Sequence, residues 1–143
     1  MIHFLILPGI FLHEFSHFIV GLILGAKPVK FSIIPNKANN SAGEVHFKNI
    51  RFFNAFPTAF APIIGGLLGV YVVYEYYFLY ENDALMKFAY VYLMVIFART
   101  ALPSGQDVKV AFLYPLGALM YLSIVFLSLE YYKIIDFINL ELL

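Results

Sequence analysis

Phe11-Leu12-His13-Glu14-Phe15-Ser16-His17 lies in the middle of an apolar run from Met1 to Leu24, and that combination decides the fold. The run is close to the roughly 20 residues that about 30 Å of hydrocarbon demands of a helix, so it reads as a membrane span. In a helix, residues i and i+4 share a face. His13 and His17 therefore present two imidazoles to one point, and Glu14 sits about 100° round, beside that point. His-Glu-x-x-His on a helix is the arrangement of a zinc site with a glutamate general base. A charged side chain at membrane depth costs about 2 to 3 kcal/mol or more, which a purely structural helix has no reason to bear. The stretch points to hydrolytic zinc chemistry inside a bilayer.

The composition agrees. The 143 residues are 62% hydrophobic and only 13% charged, against about 25% charged in soluble domains. This is the make-up of an integral membrane protein, and about four spans would use most of the length, leaving one domain over 1-143. With no cysteine in the chain, a disulfide framework and a thiolate nucleophile are excluded, and any metal must be held by His and carboxylate. The formal net charge is zero. With no basic run, nothing marks nucleic acid as a partner. The first segment lacks the charged start of a signal peptide and carries Glu14 and two His, so it is expected to be retained.

Four apolar segments stand out, Met1–Leu24, Phe56–Tyr80, Ala84–Leu102 and Val108–Tyr132. They predict four transmembrane helices. Pro8-Gly9 in the first and Pro115 in the fourth remove backbone bonds and predict local kinks or openings. Gly21-xxx-Gly25 and Gly65-xxx-Gly69 read as close helix packing. Between the first two helices, Val29–Ile33 and Glu44–Ile50 alternate apolar and polar residues around the turn-rich stretch Pro35–Gly43, which predicts a short β-hairpin at the membrane surface with an unpaired edge. The expected fold is thus a mainly α membrane protein of about four transmembrane helices, with a short β-hairpin between helices 1 and 2.

Lys27, Lys30, Lys37, Lys48, Arg51, Arg99 and Lys109 follow helices one and three, against only Lys87 and Lys133 on the other side. The positive-inside rule then places the hairpin in the cytoplasm and both termini outside, in a multi-pass protein of the cell membrane. His13 is roughly 16 Å of helix from Leu24, so the active site lies toward the cytoplasmic side.

Catalytic zinc takes three protein ligands and keeps one position open. Asp107, at the start of the fourth segment on the matching side, is the leading third ligand. Ser104-x-x-Asp107 also has the form of a capping box, and the two roles are compatible. His46 is the alternative ligand, although its place in an alternating strand suits a surface residue. His3 is too far along and around the helix to join. Arg99 reads as a snorkelling interface residue, Glu75 as part of an aromatic belt with its tyrosine neighbours, and Asn54 and Thr58 as caps or contacts to a substrate backbone.

With these residues in place, the chain resembles the site-2 protease family of intramembrane zinc metalloproteases. The resemblance is carried by Phe11–His17, the Gly25-Ala26-Lys27 exit, the hairpin, the proline-bearing helix from Phe56, and an Asp downstream of a Pro. Thr100, Gln106 and Val108 depart from the family's second signature, where Asn, Leu and Gly stand. The resemblance implies that His13, His17 and Asp107 hold zinc and that Glu14 activates the attacking water. It implies an intramembrane endopeptidase cleaving transmembrane or membrane-proximal segments of protein substrates in the lipid bilayer. The alternative is a non-catalytic zinc-binding membrane protein that holds clients, and the presence of Glu14, which zinc binding alone does not need, argues against it.

Overall fold

The computed structural model describes residues 2–35, 42–79 and 83–141, with side chains described between 5 and 133. The chain runs α1 (Ile2–Ile23), β1 (Pro28–Ser32), β2 (Glu44–Phe47), α2 (Ala55–Leu79), α3 (Ala84–Thr100), α4 (Gly105–Ala111) and α5 (Pro115–Glu141). The architecture is mainly helical with one antiparallel two-stranded hairpin. Among the described residues three helices, α1, α2 and α5, are long and apolar enough to cross a membrane, and α3 with α4, bent by 46°, passes the same test as a pair, as a broken span or a re-entrant loop. This is consistent with a membrane protein.

The packing has the same character. Apolar positions in the interior are mostly small, among them Ala26, Ala55, Ala59, Ala101 and Ala111, while Leu22, Leu67, Tyr71, Phe88 and Phe126 are exposed. Large apolar side chains outside and small ones inside suit a bundle whose solvent is lipid, because helices there associate by close backbone approach rather than by hiding oily residues from water.

Gly65 shows how close that approach is. A Cβ placed on it would fall onto the Ser16 hydroxyl of α1, and Ser16 is already bonded back to the Leu12 carbonyl at 2.6 Å. Gly65→Ala is therefore expected to destabilise the bundle by about 1 to 3 kcal/mol through overpacking. The measurement is the thermal midpoint in detergent beside Gly105→Ala, where an added Cβ meets nothing within 4 Å. Equal midpoints for the two variants would remove the close α1–α2 contact from the account.

Gly25, by contrast, packs against no helix. It takes φ +69° as the left-handed residue that ends α1, with Ala26 N–H donating to Gly21 O at 2.7 Å and Gly25 N–H to Leu22 O at 3.1 Å. That is the Schellman arrangement, for which glycine has no steric penalty. The reading of Gly21-xxx-Gly25 as a helix-packing stripe is corrected accordingly. Gly21 does serve close packing, but its neighbour is the Phe47 ring of the hairpin.

The hairpin pairs Lys30 with His46, Phe31 with Val45 and Ser32 with Glu44, and its register slips between Pro28 and Lys30. Of the stretch Pro35–Gly43 expected to join the strands, 36–41 lie outside the described residues. Phe31 meets Phe11 and Phe18 of α1 edge-on, with ring centroids 6.2 and 5.8 Å apart. The hairpin therefore lies along α1.

The two prolines singled out in the sequence take different places in their helices. α1 continues as helix through Pro8, with the Tyr92 hydroxyl bonded to the Leu5 carbonyl nearby. The segment 108–132, expected as one helix, instead breaks at 112–114, and Pro115 becomes the first residue of α5. Proline lacks the N–H that would bond Ala111 and disfavours helical geometry at Tyr114, whereas at the first position of a new helix neither defect matters. α5 is tied back through the Tyr121 hydroxyl to the Phe53 carbonyl, 2.7 Å.

Candidate metal centre

Helix α1 supplies two imidazoles on one face, and the loop after α3 folds back to bring the start of α4 against them. His13 Nε2 and His17 Nε2 lie 3.3 Å apart. The Asp107 carboxylate faces both, with Oδ2 3.4 Å from His13 Nε2 and Oδ1 3.1 Å from His17 Nε2. Glu14 and His17 are buried, and the His13 and Asp107 side chains are about as enclosed, at 13% and 14% exposure.

Asp107 does two things at once. Its Oδ2 accepts the Ser104 N–H at 2.6 Å, and its own N–H donates to Ser104 Oγ at 3.2 Å. These bonds complete the capping box that the Ser104-x-x-Asp107 spacing suggests. The cap fixes the side-chain rotamer, so the carboxylate that closes the helix is also held facing the imidazoles.

The far side of each ring is held by a main-chain carbonyl. His13 Nδ1 is 2.6 Å from Thr100 O, and His17 Nδ1 is 2.7 Å from Thr58 O. A carbonyl only accepts, so each Nδ1 carries the proton, and in the neutral ring each Nε2 then presents a lone pair. The two Nε2 atoms lie 3.3 Å apart, and each faces its own oxygen of Asp107 at 3.4 and 3.1 Å, an arrangement that could accept a cation between its members. Zinc bonds of about 2.0 to 2.1 Å in a tetrahedron separate neighbouring donors by about 3.3 Å. The spacing fits, and His13, His17 and Asp107 are the group that could hold a metal ion among the described residues.

The site opens on a cavity of about 770 Å³ whose wall includes Glu14, Gly43, Thr58 and Gln106. Gly43, just before β2, lies against Glu14, and a Cβ there would come within 2.7 Å of Glu14 Cγ and 2.9 Å of Oε1. The hairpin thus forms one wall of the site. Thr58 Oγ is buried with no hydrogen-bond partner among the described residues, a donor available to an oxygen bound in the cavity.

The other residues singled out in the sequence fall elsewhere. His46 pairs with Glu44 at 3.2 Å with half of its side chain exposed, and although it lines the cavity it is outside the metal group. Arg99 and Glu75 are exposed. The Asn54 side chain ties the preceding loop together, accepting from Arg51 N–H at 2.7 Å and donating to Asn49 O at 3.1 Å. Thr58 lies inside α2 and caps nothing. Sequence reasoning missed Gly43 and the two carbonyls. A lone glycine in a turn-rich stretch gave no signal, but the carbonyls had one in the spacing of prolines. Compared with protein-family models, curated proteins and solved structures, the chain matches none.

Proposed function

We propose that the protein is an intramembrane zinc-dependent endopeptidase acting on transmembrane or membrane-proximal peptide segments. The observation that carries this reading is the convergence of His13, His17 and Asp107 at zinc spacing, with the two histidines on a helix long and apolar enough to span a membrane and Glu14 on the same cavity wall. The resemblance of Phe11–His17 and the downstream Asp to the site-2 proteases adds to it. When bound, zinc supplies a Lewis acid that lets water act as a nucleophile near neutral pH and polarises the peptide carbonyl. Glu14 accepts the proton of the attacking water and returns it to the leaving amine. The Thr58 hydroxyl donates to an oxygen of the substrate or of that water. Burial of the site keeps bulk water from competing and strengthens each of these interactions.

The test is cleavage of a membrane-embedded reporter by purified protein in proteoliposomes. Activity lost on zinc removal and restored by zinc is expected, and cleavage indifferent to the metal removes the reading.

The orientation that goes with it has the hairpin and the open end of the site in the cytoplasm, supported by the seven basic residues on that side against two on the other. Cysteines at the exposed positions Lys48 and Tyr132 are expected to label from opposite sides, Lys48→Cys from the cytoplasm. The reverse pattern overturns the orientation.

A further inference from the structure

Both carbonyls that hold the imidazoles are free because of prolines. Inside a helix the Thr58 oxygen would accept the N–H of residue 62, and residue 62 is Pro62, within α2. The oxygen therefore has no helical donor, and it takes His17 Nδ1–H at 2.7 Å instead. Thr100 ends α3. A closing turn would bond its oxygen to residue 103 or 104, but residue 103 is Pro103 and the Ser104 N–H is taken by Asp107 Oδ2 at 2.6 Å. That oxygen takes His13 Nδ1–H at 2.6 Å.

We infer that Pro62 and Pro103 are positioning residues of the metal centre: by deleting N–H donors they leave the Thr58 and Thr100 carbonyls to fix the tautomers and ring planes of His17 and His13, with both Nε2 lone pairs turned to Asp107. Partners of this kind on the far nitrogen of a ligating histidine set its orientation and its basicity toward a metal. The geometry stands without a metal. Its consequence for zinc rests on the function proposed above.

The same device occurs away from the site. Pro57 lies four residues after Phe53, whose carbonyl takes the Tyr121 hydroxyl at 2.7 Å. This supplies an internal control on the same helix.

The experiment uses the full chain in lipid nanodiscs, with histidines labelled with ¹⁵N. Ring nitrogen shifts are read in metal-free protein at a pH where the rings are neutral, and zinc affinity is read separately. In Pro62→Ala the new N–H competes for the Thr58 oxygen. His17 is expected to leave the pure Nδ1–H tautomer, and zinc affinity is expected to fall by about 10- to 100-fold. Pro57→Ala is expected to leave both readings unchanged. A second variant carries the α-hydroxy acid analogue of alanine at 62, an ester that has the alanine methyl but no N–H. It is expected to restore the tautomer and the affinity, which separates the missing donor from the shape of the proline ring. Pro103→Ala, read at His13, repeats the test on the other ligand.

A Pro62→Ala protein with an unchanged His17 tautomer overturns the inference. So does an ester variant as impaired as the alanine one. Should Pro62→Ala fail to fold, the ester variant alone decides, since it must then fold and keep the wild-type tautomer. Wild type that binds no zinc but shows the expected tautomer changes would defeat the proposed function and leave the inference standing.

Discussion

Glu14→Gln protein is expected to retain its zinc and its fold while losing cleavage by about 10² to 10⁴ in rate, the range associated with removing a general base. Glutamine keeps the volume of the side chain, and volume matters here because Glu14 fills the space beside Gly43 so closely that a Cβ there would come within 2.7 Å of Glu14 Cγ. Glu14 does not belong to the His13, His17 and Asp107 group, so metal content should not follow it. What is removed is the capacity to take a proton from water. The check is a cleavage time course in proteoliposomes beside zinc analysis of the same preparations. Wild-type cleavage by Glu14→Gln would mean another group serves as the base. An inactive wild type with full zinc occupancy would favour a non-catalytic zinc-binding protein.

The legible parts of this molecule are those in which one residue type at one spacing has few physical meanings. Two histidines four apart on a helix must share a face, and a 24-residue apolar run must bury or cross something. The position of α1 and the His13–His17 pair followed directly. The alternation of polar and apolar residues located both strands, and α1, α2 and α3 begin and end within two residues of the expected segments, whereas the fourth, expected over 108–132, is divided between α4 and α5. Pro115 marked a local kink or opening in that segment but not its division into two helices, because proline is tolerated inside a helix and at its first position alike, and only tertiary context chooses. Pro8 inside α1 and Pro115 at the start of α5 are the two outcomes of one ambiguity.

The site beyond His13, Glu14 and His17 was harder to read for a related reason. Asp107 joined them by an argument about topology, since no local pattern connects residue 107 to residue 17. Its cap and its approach to the imidazoles looked like competing explanations, but they use different lone pairs of one carboxylate and support each other. Main-chain contributions left the weakest trace. Nothing in the identity of Thr58 or Thr100 announces that its carbonyl will hold a histidine; the signal was the proline four or three residues later.

The dual role of Asp107 can be separated by experiment. Ser104→Ala removes the hydroxyl that accepts the Asp107 N–H but leaves the carboxylate, so it should cost about 0.5 to 2 kcal/mol, as the loss of an N-cap does, with zinc bound at close to full occupancy. Asp107→Ala removes the cap and one of three donors together. Its stability should fall by a similar amount in the absence of metal, and its zinc affinity should fall by more than the roughly 100-fold that losing a supporting group outside the ligand set can cause. Zinc at about 100 times the dissociation constant adds about 2.7 kcal/mol to the stability of a protein that binds it only when folded. Thermal melts with and without zinc therefore report affinity and cap strength in one measurement. Wild type and Ser104→Ala should both rise on adding zinc, Asp107→Ala should not, and His46→Ala should rise like wild type because His46 pairs with Glu44 outside the group. An Asp107→Ala protein that still gains the full increment, with a His46→Ala protein that loses it, would transfer the third ligand to the hairpin and reduce Asp107 to the cap alone.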